Sequence, residues 1–292
     1  MKILFLGSPK FGVMVLKKML DAGLNVIGVV CAPDKPSGRG NKLTFPAVKE
    51  FAIEKEIPVY QFDKIRNHVD KLKDINPELM VTASFGQILS QKVLDVCPTL
   101  NVHPSMLPEY RGAAPINWAI LDGKEKTGVT IMRTDAGIDT GDIISQQEVE
   151  ILPDEDYSSL EARLADIGGD MIVEAVKNFE NLIYIKQPEK FTYARMFTRE
   201  DEVIDFNNTA RDIVNKVRAL AEVTGVYFTV GEDKYHVYKA KVAELKGKTG
   251  EILDRHKRLV IGCKDGSVEI LEIKMAGGKR MDVKSFLNGR KI

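Results

Sequence analysis

Apolar and polar residues at the start of the chain follow the pattern of a strand, a helix and a second strand. The apolar run Lys2–Gly7 precedes apolar residues at helical spacing over Val13–Leu20, and the β-branched run Asn25–Cys31 follows. Such a series predicts a βαβ unit, in which a helix joins two parallel strands. The sequence therefore predicts an α/β domain with helices packed on a parallel sheet.

Similar blocks continue to residue 186. Buried strands are predicted at Leu79–Ser84, Thr99–Val102 and Gly128–Arg133. Helices are predicted at Pro46–Lys55, Ile65–Leu72, Ile116–Leu121 and Tyr157–Glu180, the last interrupted at Gly168-Gly169. The segment Ala32–Leu43 is rich in Gly, Pro and Lys and has no period, which predicts a loop without regular structure.

The pattern changes near residue 206. Residues 187–206 are polar without a clear period, and we interpret them as a linker. Thr209–Leu220 predicts one amphipathic helix. Five short strands are predicted after it, at Val226–Val230, Tyr235–Ala240, Thr249–Leu253, Arg258–Cys263 and Ser267–Ile273. We expect a small OB-like β-barrel over residues 207–292 and a first domain over residues 1–186.

Charge divides along the same boundary. The chain has 292 residues, 44% hydrophobic and 29% charged, which is typical of a globular enzyme, with 42 Lys and Arg against 42 Asp and Glu. Residues 207–292 hold 18 Lys or Arg and 11 Asp or Glu, a net charge of +7, which leaves −7 in residues 1–206. A basic C-terminal part indicates a nucleic-acid partner.

Several classes of protein are disfavoured. Cys31, Cys97 and Cys263 lie far apart and form no CxxC pair, so we expect neither a zinc site nor disulfides, and a reducing compartment. No apolar run approaches the roughly 18 residues of a membrane span, and we expect a cytoplasmic protein with no membrane contact. The turn Gly7–Gly12 is not a GxGxxG motif, which disfavours an NAD enzyme.

The stretch Thr99–Asp142 contains the candidate catalytic residues. Asn101 and His103 lie at the end of a predicted strand, and Asp139 lies on a later turn. An Asn amide can donate to a developing oxyanion, His can take and return a proton, and Asp can fix the ring. Since no Ser or Cys has a nucleophile setting such as GxSxG, we expect the acyl acceptor to attack directly.

Each of these residues also has a structural interpretation. His103 can be a satisfied structural histidine, and Asp139 can be an Asx-turn residue that caps Gly141. A metal site is disfavoured, because one His with Asp135, Asp139 and Asp142 on a glycine-rich turn is not a zinc spacing.

Two turns are candidate ligand contacts. Phe85–Leu89 follows a predicted strand, where ligands of open α/β sheets bind, and Gly86 allows a ligand to approach the backbone. Lys35, Arg39 and Lys42 lie on the predicted loop, which is either a solvated loop or a contact to nucleic-acid phosphates.

Several motifs follow one another in a fixed order. They are Asn101-Val102-His103, Ser105–Pro108, Tyr110–Pro115, Gly128–Thr130 and Asp139–Asp142, together with Gly7–Phe11, Pro33–Gly40, Phe85–Leu89, Tyr193-Ala194 and Phe286–Arg290. In this order and spacing the chain resembles, nearly end to end, the formyltransferase family that uses 10-formyltetrahydrofolate. The resemblance implies a Rossmann-like formyltransferase domain followed by an OB-like barrel.

The resemblance also implies substrates and roles. 10-Formyltetrahydrofolate would be the formyl donor, methionyl initiator tRNA the acceptor, and no metal is expected. Asn101 would stabilise the oxyanion, His103 would act as acid and base, and Asp139 would orient and polarise it. The folate cleft would be formed by Phe85, Gly86, Gln87, Ile88, Leu89, Ser105, Met106, Leu107 and Pro108. Arg39 and Lys42 would engage the acceptor arm of the tRNA, and we expect a monomer.

Competing hypotheses remain. A formyltransferase of an amino-sugar nucleotide or of glycinamide ribonucleotide would need neither the Lys35–Lys42 loop nor a basic barrel. A 10-formyltetrahydrofolate hydrolase would use water in place of the amine. An RNA-binding module with an idle α/β domain is disfavoured by the intact set Asn101, His103 and Asp139.

Overall fold

The computed structural model describes residues 1–37, 42–289 and 292, without the side chains of Ser37 and Lys42. The chain forms two compact units. Unit 1 comprises Met1–Pro115, Lys126–Glu150 and Glu161–Ala194, and unit 2 comprises Ile116–Glu125, Ile151–Leu160 and Arg195–Ile292. Residues 187–206, the expected linker, contribute to both units. No helix within the described ranges is long and apolar enough to cross a membrane.

Unit 1 is built on a seven-stranded sheet. The strands of the unit are β1 (Ile3–Gly7), β2 (Val26–Cys31), β3 (Lys35–Ser37), β4 (Lys42–Thr44), β5 (Val59–Gln61), β6 (Leu79–Ala83), β7 (Thr99–His103), β8 (Arg111–Gly112), β9 (Lys126–Arg133), β10 (Ile143–Glu150) and β11 (Tyr193–Ala194). The sheet order is β10-β9-β7-β6-β1-β2-β5. Strands β5, β2, β1, β6 and β7 are parallel, and β9 and β10 extend the β7 edge antiparallel. The predicted parallel α/β sheet is therefore confirmed.

The helices follow most of the predicted periods. They are α1 (Lys10–Asp21), α2 (Ala47–Glu54), α3 (Val69–Ile75), α4 (Gln91–Leu94), α5 (Pro115–Leu121) and α6 (Tyr157–Lys177). Strands β1 and β6 are buried along their whole length, as central strands of a parallel sheet are. This explains why both appear in the sequence as continuous apolar runs.

The predicted interruption at Gly168-Gly169 is wrong, because α6 runs through both glycines. A Cβ added to Gly168 would lie 2.6 Å from Cγ1 of Val102 in β7, and one added to Gly169 would lie 2.6 Å from Cγ of Lys18 in α1. These glycines let the helix approach its neighbours closely. The packing outweighs a loss of helix propensity of about 1 kcal/mol for each glycine.

Two further local predictions are wrong. The helix expected over Ile65–Leu72 is a 3₁₀ turn at Ile65–Asn67 followed by α3. The loop expected to lack regular structure contains the antiparallel pair of β3 and β4, in which Lys35 lies opposite Thr44. Cross-strand pairing across a loop leaves no periodic signal in so short a segment. Arg39 and the side chain of Lys42 lie outside the described residues.

Unit 2 combines a helix with an antiparallel sheet. Its later elements are α7 (Ala210–Leu220), β12 (Val226–Val230), β13 (Asp233–Ala243), β14 (Ile252–Asp254), β15 (Leu259–Gly262), β16 (Ser267–Met275), β17 (Met281–Asp282) and α8 (Val283–Gly289). The sheet order is β12-β13-β16-β15-β14, with β17 paired to β16. The predicted helix and five strands are confirmed, and β17 is an additional strand. A capping box between Thr209 and Asp212 starts α7.

Candidate active site

The three candidate catalytic residues lie close together in unit 1. Asn101 and His103 are alternate residues of β7, so their side chains leave the strand on the same face. Asp139 lies on the turn between β9 and β10. The His103 side chain is only 5% exposed, and Asn101 and Asp139 are half-buried. Residues from two distant parts of the chain thus form one polar cluster.

The amide of Asn101 has a fixed orientation. Oγ1 of Thr82, on the neighbouring strand β6, donates a hydrogen bond of 2.7 Å to Oδ1 of Asn101. Nδ2 of Asn101 consequently faces the other way and donates to Oδ1 of Asp139 at 3.4 Å. This distance is long for an N–H···O hydrogen bond. The N–H group is therefore only weakly bonded to Asp139 and is available to donate to the oxygen of a ligand.

The ring of His103 has its two nitrogens in different surroundings. Nε2 lies 2.9 Å from the carbonyl oxygen of Tyr110. Because a carbonyl oxygen only accepts, Nε2 carries the proton, and Nδ1 is the acceptor in the neutral ring. Nδ1 lies 3.7 Å from Oδ2 of Asp139, an ion-pair distance longer than a hydrogen bond. The nitrogen on the Asp139 side is thus the one free to exchange a proton.

Asp139 has an unusual backbone conformation. Its φ of +50° lies in the left-handed region, which is uncommon for a residue other than glycine. Its Oδ2 accepts a hydrogen bond of 2.8 Å from the backbone N–H of Gly112. The Asx-turn bonds of this segment are made by Asp135, whose Oδ1 accepts from the Gly137 N–H and the Thr140 hydroxyl. The Asp139 carboxylate therefore faces the cluster.

The segment Ser105–Pro108 lies beside His103 in the chain. Ser105 and Leu107 are buried, whereas Met106 and Pro108 are half-buried. Buried residues of this segment serve its packing. Of the four residues of this segment, all expected in the folate cleft, Met106 and Pro108 have the larger exposed fractions for a ligand contact.

Polar side chains of β9 and β10 hold the backbone of the same segment. Oγ1 of Thr130 donates to the Ser105 carbonyl at 2.7 Å and accepts from the Leu107 N–H at 3.1 Å. Nε2 of Gln146 donates to the Leu107 carbonyl at 2.7 Å and to Oγ1 of Thr130 at 2.9 Å. These bonds satisfy buried backbone groups and give the segment one defined path.

The turn after β6 has both buried and exposed residues. Phe85 and Leu89 pack in the core of unit 1. The side chain of Gln87 makes one hydrogen bond of 2.8 Å and one of 2.9 Å with backbone groups near the 3₁₀ turn. Gly86, with φ of +77°, and Ile88 are exposed. Of the five residues of this turn, all expected to touch folate, Gly86 and Ile88 have the largest exposed fractions.

The start of the β3–β4 hairpin is anchored by polar side chains. Nζ of Lys49 lies 2.6 Å from Oδ2 of Asp34, and Nε2 of Gln61 donates to Oδ1 of Asp34 at 2.8 Å. The hydrogen bond from Lys49 lowers the pKa of the Asp34 carboxyl. Lys35, the next residue, is exposed on β3. The hairpin thus leaves the sheet from a fixed base.

The three cysteines are not part of the cluster of Asn101, His103 and Asp139. Cys31, Cys97 and Cys263 are free and buried. Burial raises the pKa of each thiol to about 11, which disfavours the reactive thiolate. In the part of the chain that the structure describes, no group of three or more His, Cys, Asp or Glu residues could hold a metal ion.

Sequence reasoning missed several residues that support the cluster. Thr82, Gln146 and Gln187 hydrogen-bond with groups 19, 39 and 48 residues away along the chain, respectively. No local period marks such partners. The one available signal was the hydroxyl of Thr82 inside an otherwise apolar strand, since a buried hydroxyl needs a partner.

Solved structures with similar folds include two kinds of protein. HypX from Aquifex aeolicus in complex with tetrahydrofolic acid matches with a TM-score of 0.66 and 21% identity, over 98% of this chain and 46% of that one. The chain thus spans about half the length of HypX. WlaRD, a sugar 3N-formyl transferase, matches with a TM-score of 0.69 and 21% identity, over 92% of this chain and 97% of that one. At these identities the likeness establishes the fold.

Sequence comparison identifies the family. The model of the formyl transferase family matches residues 1–176, and that of the formyl transferase C-terminal domain matches residues 196–291. The methionyl-tRNA formyltransferase of Ruminiclostridium cellulolyticum is 38% identical over 100% of this chain and 97% of its own. That of Geobacter metallireducens is 40% identical over 100% of this chain and 96% of its own. The chain therefore belongs to the formyl transferase family, among the methionyl-tRNA formyltransferases.

Proposed function

We propose that the chain transfers the formyl group of 10-formyltetrahydrofolate to the α-amino group of methionyl initiator tRNA. One observation carries the proposal: an amide donor, an imidazole nitrogen and a carboxylate converge. Nδ2 of Asn101 and Nδ1 of His103 lie 3.4 and 3.7 Å from the two carboxylate oxygens of Asp139. The names of the relatives support the acceptor, and the tetrahydrofolic acid bound to HypX supports a folate donor.

The first half of the reaction forms the new bond. The neutral amine of the methionyl ester attacks the formyl carbon, and its proton passes to Nδ1 of His103. The carbonyl oxygen becomes an oxyanion, and the N–H of Asn101 Nδ2 stabilises it. One positioned donor of this kind contributes about 2.7–4 kcal/mol to the transition state. Asp139 stabilises the imidazolium that has formed beside it.

The second half breaks the old bond. The oxyanion collapses, the bond between the formyl carbon and N10 of the folate breaks, and N10 takes the proton from Nδ1 of His103. The ring returns to its neutral form, with Nε2 still donating its proton to the Tyr110 carbonyl. Proton transfers by a positioned side chain contribute roughly 10²–10⁴-fold to the rate. The protein forms no covalent intermediate.

The folate cleft is proposed at the carboxyl ends of β6 and β7. The segments Phe85–Leu89 and Ser105–Pro108 follow these two parallel strands, and ligands of open α/β sheets bind at such an edge. Exposed Gly86 and Ile88, with half-buried Met106 and Pro108, are the residues best suited to contact the donor.

The tRNA is proposed to bind through basic residues. Lys35 on β3, Lys42 on β4 and Arg39, which lies outside the described residues, would contact phosphates of the acceptor arm. We propose a catalytic domain at residues 1–186, a linker at 187–206 and an OB-like tRNA-binding domain at 207–292. The last of these carries a net charge of +7. Within that part, Nζ of Lys234 lies 3.2 Å from the ring centroid of Tyr227, and such basic and aromatic pairs suit nucleic acid.

A transfer assay tests the acceptor. Labelled 10-formyltetrahydrofolate is supplied with methionyl initiator tRNA, with an amino-sugar nucleotide, with glycinamide ribonucleotide, or with water alone. We expect the label on the α-amino group of methionine only when charged initiator tRNA is present. Transfer of the label to either small amine would overturn the proposal. Release of labelled formate in water alone, as fast as the label is used with charged initiator tRNA, would also overturn it.

A further inference from the structure

We infer that Gln187 is a positioning residue for Asp139, acting through the turn that carries the carboxylate. The inference rests on the proposed function, in which Asp139 stabilises protonated His103. Gln187 lies 48 residues after Asp139 and outside every motif that marks the catalytic site. Among the described residues, its side chain hydrogen-bonds with Arg111, Asp139 and Gly141 and not with Asn101 or His103, so its effect must pass through the turn.

Both ends of the Gln187 amide are used. Nε2 donates to the carbonyl oxygen of Asp139 at 2.9 Å and to that of Gly141 at 2.7 Å. Oε1 accepts from Nε of Arg111 at 3.0 Å and from Nη2 of the same guanidinium at 2.7 Å. The side chain therefore makes four hydrogen bonds and links the Asp139 turn to Arg111.

The position of Arg111 fixes the direction of the amide. Arg111 is 6% exposed, and its guanidinium lies 4.6 Å from the ring centroid of Phe191. A guanidinium only donates, so the oxygen of Gln187 must face it and the nitrogen must face the two carbonyls. Hydrogen bonds from a charged donor are shorter and stronger than neutral ones, and they polarise the amide group that accepts them. Nε2 of Gln187 is consequently a strong and correctly oriented donor.

Three consecutive residues connect this arrangement to the catalytic groups. The carbonyl of Tyr110 holds Nε2 of His103, Arg111 holds the Asp139 backbone through Gln187, and the N–H of Gly112 holds the Asp139 carboxylate. The backbone and the side chain of Asp139 are thus fixed from one short segment. Residues in sparsely populated backbone conformations persist when their surroundings hold them, and the φ of Asp139 is +50°. Gln187 supplies part of that restraint.

Two substitutions separate positioning from folding. Gln187→Leu removes all four hydrogen bonds. Gln187→Glu keeps an acceptor for Arg111 but places an oxygen against the carbonyls of Asp139 and Gly141. We expect both variants to lower kcat roughly 10- to 100-fold, because small misplacements of catalytic groups have effects of this size. We expect KM for both substrates to stay within about threefold, since Gln187 is not among the residues proposed to contact folate or tRNA.

The control is Glu189→Gln, an exposed position two residues further on, which should keep full activity and the same melting temperature as the parent. A purely structural role predicts that activity follows stability, so that both variants would keep the kcat of the parent at a temperature at which each is fully folded. That result would overturn the inference.

A double-mutant cycle tests whether Gln187 acts through Asp139. We expect Gln187→Leu to change kcat by less than about twofold when Asp139→Ala is already present, because the group it positions is gone. An equal fold-loss in both backgrounds would overturn the inference and leave the proposed function intact. Full activity of Asp139→Ala alone would instead overturn the role proposed for Asp139.

Discussion

Nε2 of His103 lies 2.9 Å from the carbonyl oxygen of Tyr110, and this contact determines which ring nitrogen can act as a base. The carbonyl has no proton to give, so the neutral ring carries its proton on Nε2 and presents the lone pair of Nδ1. Nδ1 is also the nitrogen on the side of Asp139, at 3.7 Å from Oδ2. The backbone thus selects the tautomer, and in the proposed mechanism the carboxylate would stabilise the charge that the other nitrogen acquires.

The first prediction concerns His103. His103→Gln keeps an N–H group that can reach the Tyr110 carbonyl but removes the basic nitrogen. We expect kcat to fall roughly 10²–10⁴-fold, the usual contribution of a general acid and base. Steady-state kinetics measures this, and binding of 5-formyltetrahydrofolate serves as the control for an intact cleft. Nitrogen NMR of the parent at high pH should show the proton on Nε2, and a proton on Nδ1 would contradict the assignment.

The second prediction concerns the charge of Asp139. Asp139→Asn keeps an oxygen that can accept from the Gly112 N–H but removes the negative charge beside the ring. We expect kcat to fall by about 10²-fold or more while KM changes little, because the charge is needed only when the ring is protonated. If kcat and the melting temperature of Asp139→Asn both matched the parent, the carboxylate would have no electrostatic role.

The third prediction concerns the folate cleft. Thr130→Val removes the hydroxyl that bonds the backbone of Ser105 and Leu107 and the side chain of Gln146. Leaving a buried polar group without its partner costs about 1–3 kcal/mol, so we expect a loss of stability of that order in urea unfolding. KM for the folate donor should rise several-fold because the cleft segment loses its defined path.

A matched control lies on the same strand. Thr127 is also buried, but its hydroxyl has no hydrogen-bond partner among the described residues. Thr127→Val should therefore leave stability unchanged or raise it. Equal losses in the two Val variants would show that β-strand packing, and not the hydrogen bonds of Thr130, is responsible.

The fourth prediction concerns the basic residues Arg39 and Lys42. Arg39→Ala and Lys42→Ala should each weaken use of tRNA and lower the slope of log KM against log salt concentration by about 1, as expected for one lost phosphate contact. KM for the folate donor should not change. Lys92→Ala removes an exposed positive charge from α4 of the same unit and serves as the control. If Arg39→Ala and Lys42→Ala changed only folate binding, these two residues would belong to the donor cleft.

The fifth prediction concerns pH and unit 2. Hydrogen bonds from Arg195 hold the pKa of Asp201 well below its usual range. A lowered folded-state pKa stabilises the fold above the unfolded-state pKa of about 3.9, and this stability is lost as the pH falls further. We therefore expect Asp201→Asn to be less stable than the parent at pH 7 in urea unfolding and to approach it below about pH 4.

The neighbouring acid provides the comparison for this pH effect. Glu200 is exposed in the same 3₁₀ turn, Arg199–Glu202, and Glu200→Gln is the control that removes a neighbouring acid without removing the hydrogen bonds between Asp201 and Arg195. A difference between Asp201→Asn and the parent that stayed constant from pH 7 to pH 2 would show that the Asp201 side chain acts through its shape and not through its charge.

The sequence by itself determined the elements whose cause is local. Central strands such as β1 and β6 are largely apolar because both faces are buried, and the helical period predicted α7 to within one residue of its start. Asn101 and His103 were recognisable for the same reason, since the two-residue period of a strand places them on one face. The ordered motifs around them identified the family.

Only the tertiary structure decided how distant groups are used. The expected ligand turn contains Gln87, and only the structure shows that its side chain also bonds with distant backbone groups. Gly168 was expected to interrupt a helix but allows close contact with Val102. Gln187 has no local pattern, yet its amide joins Arg111 to the Asp139 turn. The physical reason is that hydrogen bonds and packing depend on distance in space, and the residues that make these bonds lie from 19 to 76 positions apart along the chain.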